Sequence, residues 1–362
     1  MKAWTRAFVV LAGAVLATVA GGDVTTAVAR PPSPVAPALT LPFDEGAHPA
    51  SLTEWWYVTG WLKTSDGAPL GFQVTFFRTR PGVDDANPSA FTAHELVIAH
   101  AALSDPARPR ALHAEKIARV GFGLAAAGTG RTDVTLGDWR LQSDREGFAA
   151  RVAAEDFELD LAFGRGEPVL VNGEGGYSQK GPDPASSSRY YSIPGLKVTG
   201  RVREGGAWRA VTGDAWLDHE WSDAYLDAAS VGWDWTGLNL PDGAALMAFR
   251  IRDASGKARW AGGTWRAADG TRRVFRPDEI DFGPTRHWRS VHTGIDWPVG
   301  FTLRAGPLEF ALVPLMDDQE SDSRLTTGAV YWEGAVTSRS PDGATGRGYL
   351  ELTGYGAPLK LR

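Results

Sequence analysis

Apolar and polar side chains alternate along most of the chain in short runs separated by Gly, Pro, Asp and Ser, the period-two pattern of half-buried strands. After Thr53 the chain reads Glu-Trp-Trp-Tyr-Val-Thr-Gly-Trp-Leu, then turns at Ser65-Asp66-Gly67, then runs from Leu70 to Phe77 in aromatic and β-branched residues. Two β-favouring runs around an Asp-Gly turn predict a hairpin. Further runs at 93–103, 139–141, 147–153, 157–163 and 190–202 have the same character, most of them bounded by turn residues. Convincing capped helical stretches are scarce. Regularly spaced short strands of this kind predict an all-β sandwich or barrel.

The pattern recurs. Trp56 to Val74 carries Trp-Tyr-Val-Thr-Gly-Trp-Leu, then Asp66-Gly67-Ala68, then an apolar strand; Trp233 to Ile251 carries Trp-Asp-Trp-Thr-Gly-Leu-Asn-Leu, then Asp242-Gly243-Ala244, then another. A second echo pairs Tyr190, Tyr191, Leu196 and Gly200 with Tyr349, Leu350, Leu352 and Gly354, each late in its half. Duplication of one β domain accounts for both, with domains expected at 43–197 and 198–362.

The densest chemistry lies in Gly213-Asp-Ala-Trp-Leu-Asp-His-Glu-Trp221. On a strand, Leu217, His219 and Trp221 share one side while Trp216, Asp218 and Glu220 share the other. The first side suits a barrel interior holding one histidine; the second, acidic side suits water or a neighbouring loop.

Composition narrows the classes. At 362 residues, 43% hydrophobic and 22% charged, the chain is that of an ordinary globular protein with room for two domains. The formal charge of -6 argues against a nucleic-acid partner, which needs a basic face. There is no cysteine, which excludes disulfides, thiolate catalysis and zinc–cysteine sites. Fifteen tryptophans point to large aromatic cores or an apolar pocket with flat walls. Lys2 and Arg6 precede an apolar run from Ala7 to Ala20, with small residues at Ala27 and Ala29, the three-part pattern of a secretory signal peptide. Residues 1–29 are therefore expected to be a leader and 30–42 a Pro-rich linker, leaving a periplasmic or secreted protein with no integral membrane segment.

Several motifs occur together and in order: Glu54-Trp55-Trp56-Tyr57; Gly173, Gly175 and Gly176-Tyr177-Ser178; Tyr190-Tyr191-Ser192; Asp218-His219-Glu220-Trp221; Gly232-Trp233-Asp234-Trp235; Tyr331-Trp332-Glu333-Gly334; and Gly348-Tyr349-Leu350-Glu351-Leu352-Thr353-Gly354-Tyr355. As a set they resemble the AttH family, often labelled secreted hydrolases and related to the carotenoid 1,2-hydratases (hydroxyneurosporene synthases). The resemblance covers nearly all of the mature chain. It implies two tandem lipocalin-like β-barrels. In the hydratase branch, acid-assisted addition of water to an isoprenoid double bond is associated with a His and a Trp that match His219 and Trp221. A Tyr and an Asp on that branch's following strand fall near Phe249 and Arg250 here, and arginine cannot donate a proton at neutral pH, which counts against strict carotenoid hydratase activity.

Hydrating an alkene requires an acid strong enough, or dry enough, to protonate carbon, and surroundings that tolerate a carbocation. His219, Asp218, Trp221 and Glu54 are the candidate catalytic residues, and Trp56, Tyr57, Tyr191, Trp233, Trp235 and Phe249 the candidate ligand-binding ones, since aromatic faces stabilise cations. No Gly-x-Ser-x-Gly elbow supports the hydrolase label, no His-Glu-x-x-His supports a metal, and no glycine-rich phosphate loop supports a nucleotide cofactor. Two readings stand: an exported protein that binds an isoprenoid, polyene or lipid and acts on it as a hydro-lyase or isomerase, and a non-catalytic carrier serving an envelope transport system.

Overall fold

Period-two runs joined by Asp-Gly and Gly-containing turns leave the backbone one economical solution, antiparallel meanders, and the computed structural model consists of them almost throughout. It describes residues 38–84, 86–166 and 168–359. The expected leader lies outside the described residues, as does most of the expected linker; the linker's last residues are packed, with Leu39 and Leu41 against the core of the first barrel.

Among the described residues the first sheet has thirteen strands. These are β1 (Thr53–Thr64), β2 (Pro69–Thr79), β3 (Leu96–Ser104), β4 (Leu112–Arg119), β5 (Ala125–Ala127), β6 (Asp133–Leu136) and β7 (Trp139–Ser143), then β8 (Gly147–Ala153), β9 (Glu158–Gly164), β10 (Leu170–Val171), β11 (Tyr177–Gln179), β12 (Ser187–Arg203) and β13 (Arg209–Ala224). The second sheet has ten. Its strands are β14 (Gly232–Asn239), β15 (Ala245–Arg252), β16 (Ala258–Arg266), β17 (Arg272–Phe275), β18 (Ile280–Arg289), β19 (Asp296–Ala305), β20 (Leu308–Pro314), β21 (Glu320–Ser323), β22 (Ala329–Arg339) and β23 (Thr345–Leu352).

In each sheet the first strand pairs with both the second and the last: β1 lies between β2 and β13, and β14 between β15 and β23. The open ends therefore fall at β4 and β5 in one sheet and at β17 and β18 in the other, and the two sheets make tandem lipocalin-like barrels, one of them nearly closed. This pairing also moves the domain boundary. The expected division between 197 and 198 falls inside β12, whereas the chain changes sheets between Ala224 and Gly232. The cause is the second echo, which matched β12 to β23; by pairing, β23 corresponds to β13 and β12 to β22.

The two barrel interiors are filled by side chains. Trp56, Phe72, Phe76, Trp139 and Phe163 pack the first, and Phe282, Trp297, Phe301 and Trp332 the second. A third core lies between the barrels, where Tyr57, Trp61, Trp216, Trp235, Met247, Phe249 and Tyr349 meet. Strands β1, β13, β14, β15 and β23 are therefore buried on both faces, one against their own barrel and one against the other. Two glycines permit the close approach. A Cβ on Gly71 would sit 2.7 Å from the Ala335 Cβ, and one on Gly237 2.8 Å from the Trp216 ring.

Candidate functional site

Strand β13 serves two places at once. Its odd positions point into the first barrel, where His219 and Trp221 are buried. His219 Nε2 lies 2.9 Å from Glu54 Oε1, and Tyr191 Oη lies 3.1 Å from His219 Nδ1. A carboxylate only accepts, so His219 carries its proton on Nε2 and receives the Tyr191 hydroxyl proton at Nδ1, which makes the ring neutral. Burial lowers the His219 pKa, in keeping with that state. Glu54 is further held by His48 Nδ1 at 2.7 Å and Arg78 Nε at 3.0 Å. Burial opposes the Glu54 charge, but the His219 and His48 hydrogen bonds and charges outweigh it and hold the carboxyl well below the usual range. His48 stacks on Trp221 at 3.7 Å, and Trp56 on His219 at 4.7 Å. His48, Glu54 and His219 offer three ligand-type atoms within 4.8 Å. In this arrangement both imidazoles hydrogen-bond the Glu54 carboxylate that lies between them.

The even positions of β13 point at the other barrel and open into a cavity of about 260 Å³. Strand register explains its floor. Asp218 stands opposite Tyr57, Tyr57 opposite Thr75, Thr75 opposite His100 and His100 opposite Glu115, a polar row crossing β13, β1, β2, β3 and β4. The second barrel answers with Trp235 opposite Glu351 and Glu351 opposite Glu333, across β14, β23 and β22. One step outward along the same strands the side chains turn apolar, with Trp55, Phe77, Ile98 and Ile117 in one register row. All four line the cavity, together with Tyr225 and Trp233. The site thus has an acidic floor beneath an aliphatic and aromatic throat.

Four carboxyls face this space: Asp218, Glu220, Glu333 and Glu351. Glu333 and Glu351 stand directly opposite on adjacent strands. Burial pushes both up, and the Glu351 charge adds to the effect on Glu333. Tyr57 Oη donates to Glu333 Oε2 at 2.9 Å, while the buried Glu333 Oε1 has no partner. Burial also raises Asp218, to about 7, even though Ser192 Oγ (2.5 Å), Tyr190 Oη (2.7 Å) and Trp216 Nε1 (2.6 Å) all donate to it. Trp235 Nε1 donates to Tyr190 Oη at 3.0 Å and locks that phenol in place. Glu220 differs from the other three. The buried Lys180 ammonium lies 2.8 Å from it and Ser188 donates to it, opposing the desolvation that raises it.

The candidate residues therefore divide. His219, Trp221, Glu54, Trp56 and Tyr191 lie together in the interior of the first barrel, away from the cavity. Asp218, Tyr57, Trp233 and Trp235 line the cavity. Phe249 lies in the core between the barrels, 4.2 Å from the Lys180 ammonium, and Arg250 pairs with Asp234. Sequence reasoning missed Glu333, Glu351, His100 and Tyr331 as site residues. One signal was present: Glu333 and Glu351 each interrupt an apolar strand whose neighbours on both faces are buried.

A family model described as AttH-like matches residues 32–355, and the chain belongs to that family. A crystal structure of an AttH protein from Nitrosomonas europaea is 48% identical, superposes with a TM-score of 0.84, and covers 90% of this chain and 100% of its own. Kievitone hydratase from Nectria haematococca shares the fold at 15% identity and a TM-score of 0.68, covering 89% of this chain and 94% of its own. No curated protein matches the chain.

Proposed function

We propose that this AttH-family protein binds an apolar alkene-bearing molecule, of isoprenoid or related type, in the cavity between its barrels and catalyses acid-assisted addition or removal of water there. The observation that carries the reading is the Glu333–Glu351 pair, two opposed carboxyls at the floor of a largely apolar cavity. Like charges that close cannot both ionise cheaply, so the pair retains a proton at neutral pH. A neutral carboxylic acid in a dry pocket is the donor that protonating carbon requires. Trp55, Tyr57, Trp233 and Trp235 present aromatic surface to the cation so formed, and Glu220, kept company by Lys180, adds negative charge. The shared fold with a hydratase is compatible with this chemistry, but the acids are what argue for it.

His219 and Glu54 drop out of the catalytic set on this reading and Asp218 stays as a member of the floor. Export to the periplasm or beyond, expected from the leader, belongs to the same proposal, since isoprenoids and lipids are abundant in envelopes. The test has two stages. Native mass spectrometry and solvent extraction of protein purified from its producing cells identify the bound molecule. Incubation with para-prenylphenol, an aromatic body carrying a trisubstituted alkene, then looks for a product heavier by one water. Wild-type turnover that disappears in Glu351→Gln supports catalysis. Stoichiometric ligand with unchanged product in Glu351→Gln would sink the assignment of the acid, and ligand with no product at all would leave the carrier reading standing.

A further inference from the structure

We propose that Tyr331 and His100 form the proton-accepting half of the same site: Tyr331 takes a proton from the water that attacks the cation and passes its own to His100 Nδ1. The inference rests on the reading of the cavity as a hydratase site and adds the base that such a site needs. Both residues line the cavity, His100 from β3 of the first barrel and Tyr331 from β22 of the second.

The direction of the relay follows from counting protons. Thr326 has one hydroxyl proton and donates it to the Glu115 carboxylate, which can only accept. The Thr326 oxygen, 2.9 Å from His100 Nε2, must then accept, so His100 carries its proton on Nε2. That leaves Nδ1 bare, and the Tyr331 hydroxyl is its partner. On the other side Ser323 Oγ donates to Tyr331 Oη at 3.1 Å, and His113 Nε2 lies 3.2 Å from Ser323 Oγ as the donor behind it. The chain runs one way, from His113 through Ser323 and Tyr331 into His100, with Thr326 and Glu115 behind the imidazole.

Among the described residues, His113 and Glu115 face His100 from β4, the latter 3.8 Å from Nε2; Tyr331 faces it from β22, and Phe77 and Thr75 stand beside it on β2. Glu333, two positions beyond Tyr331, lines the same cavity. Burial holds His100 down to about 3, which keeps it neutral, with Nδ1 unprotonated and accepting from the Tyr331 hydroxyl. An imidazole so desolvated is a weak base, but the group it serves is a protonated alcohol, a far stronger acid than any imidazolium. Glu115 offsets the charge once His100 is protonated. Burial likewise raises the Tyr331 phenol, so it stays protonated until the relay moves.

The step balances. The alkene π pair takes the proton shared by Glu333 and Glu351 and becomes a C–H bond. A water lone pair forms the C–O bond at the resulting cation, and the excess proton on that oxygen moves to Tyr331 as the Tyr331 proton moves to Nδ1. Solvent then returns one proton to the glutamates and removes one from His100. Tyr331 and His100 are the catalytic residues of this half; Thr326, Glu115 and Ser323 position them.

The experiment separates the two halves with para-prenylphenol in heavy water, reading hydrate formation and deuterium exchange at the alkenyl carbons independently. His100→Gln and Tyr331→Phe are expected to lose hydrate formation by about 100- to 1,000-fold while exchange changes by less than about threefold; Glu351→Gln loses both. Hydrate formation unchanged in His100→Gln, or hydrate and exchange lost there in equal proportion, would overturn the relay. If wild type neither hydrates nor exchanges, the hydratase reading falls by itself. Nitrogen NMR of histidine-labelled protein reads the hydrogen-bond chain without any turnover: a bare Nδ1 whose resonance moves in Tyr331→Phe is expected, and a proton on Nδ1 overturns the relay.

Discussion

Asp218 and His219 are adjacent in sequence and belong to different structures: the carboxyl lines the cavity between the barrels, and the imidazole is bonded to Glu54 inside the first barrel. A strand side chain faces one way or the other, so one peptide bond separates the site from its foundation. The two residues should respond to mutation in opposite manners.

His219→Ala removes a partner from a buried ionised glutamate and opens a void against Trp56. The expected loss is about 2 to 4 kcal/mol of stability. Urea denaturation measures it. Binding of para-prenylphenol by the fraction that remains folded should be unchanged, and a selective loss of binding there would contradict the placement of the site.

Glu351→Gln relieves the repulsion across the Glu333 pair and keeps the shape. Stability should rise or hold above neutral pH while turnover falls by about 100-fold or more. In wild type the acid must be protonated, so activity should decline as pH rises through the elevated range of the pair. A pH–rate profile with no alkaline limb would argue against a carboxylic acid donor.

Asp218 and Glu54 set opposite limbs of the stability profile. Asp218 is raised from 3.8 to about 7, so across that interval the folded protein keeps a proton that the unfolded chain has lost, and stability falls as pH rises. Glu54 is depressed from 4.5, so its contribution is present above that value and is lost as pH falls below it. Urea midpoints should therefore fall as pH drops below 4.5 and fall again as pH rises from 3.8 towards about 7, and Asp218→Asn should flatten the second decline alone.

Gly71→Ala places a methyl where Ala335 already sits, 2.7 Å away. The barrels must separate or β2 must shift, at a cost of about 1 to 3 kcal/mol. Thermal denaturation gives that cost. Weaker binding of para-prenylphenol would show that the spacing of the barrels sets the cavity, since Gly71 itself does not line it.

The strands, their hairpins and the duplication were legible because they rest on local period and on turn chemistry at Asp66-Gly67 and Asp242-Gly243. The parity of β13 was legible too, and it correctly set His219 apart from Asp218 and Glu220. What parity cannot say is what covers a face. The acidic side of β13 reads as solvent-facing until another barrel is laid on it, and only then does Glu333 become the neighbour of Tyr57, far along the chain. Nothing local marks His100, because its partners Tyr331 and Thr326 come from the other half of the sequence. The domain boundary slipped by one strand because Tyr- and Gly-bearing strands near the end of each half look alike.

The floor of the cavity draws Asp218, Tyr57 and His100 from one repeat and Tyr331, Glu333 and Glu351 from the other. Neither repeat lines that floor alone, so the reaction centre proposed above needs both. The short connection at 225–231 keeps the halves in a fixed one-to-one ratio, so the centre assembles within a single molecule and does not thin out on dilution as a dimeric site would. Two linked and diverged copies thus hold an asymmetry that a symmetric pair of identical barrels lacks: the opposed Glu333 and Glu351 lie in one copy and His100 in the other.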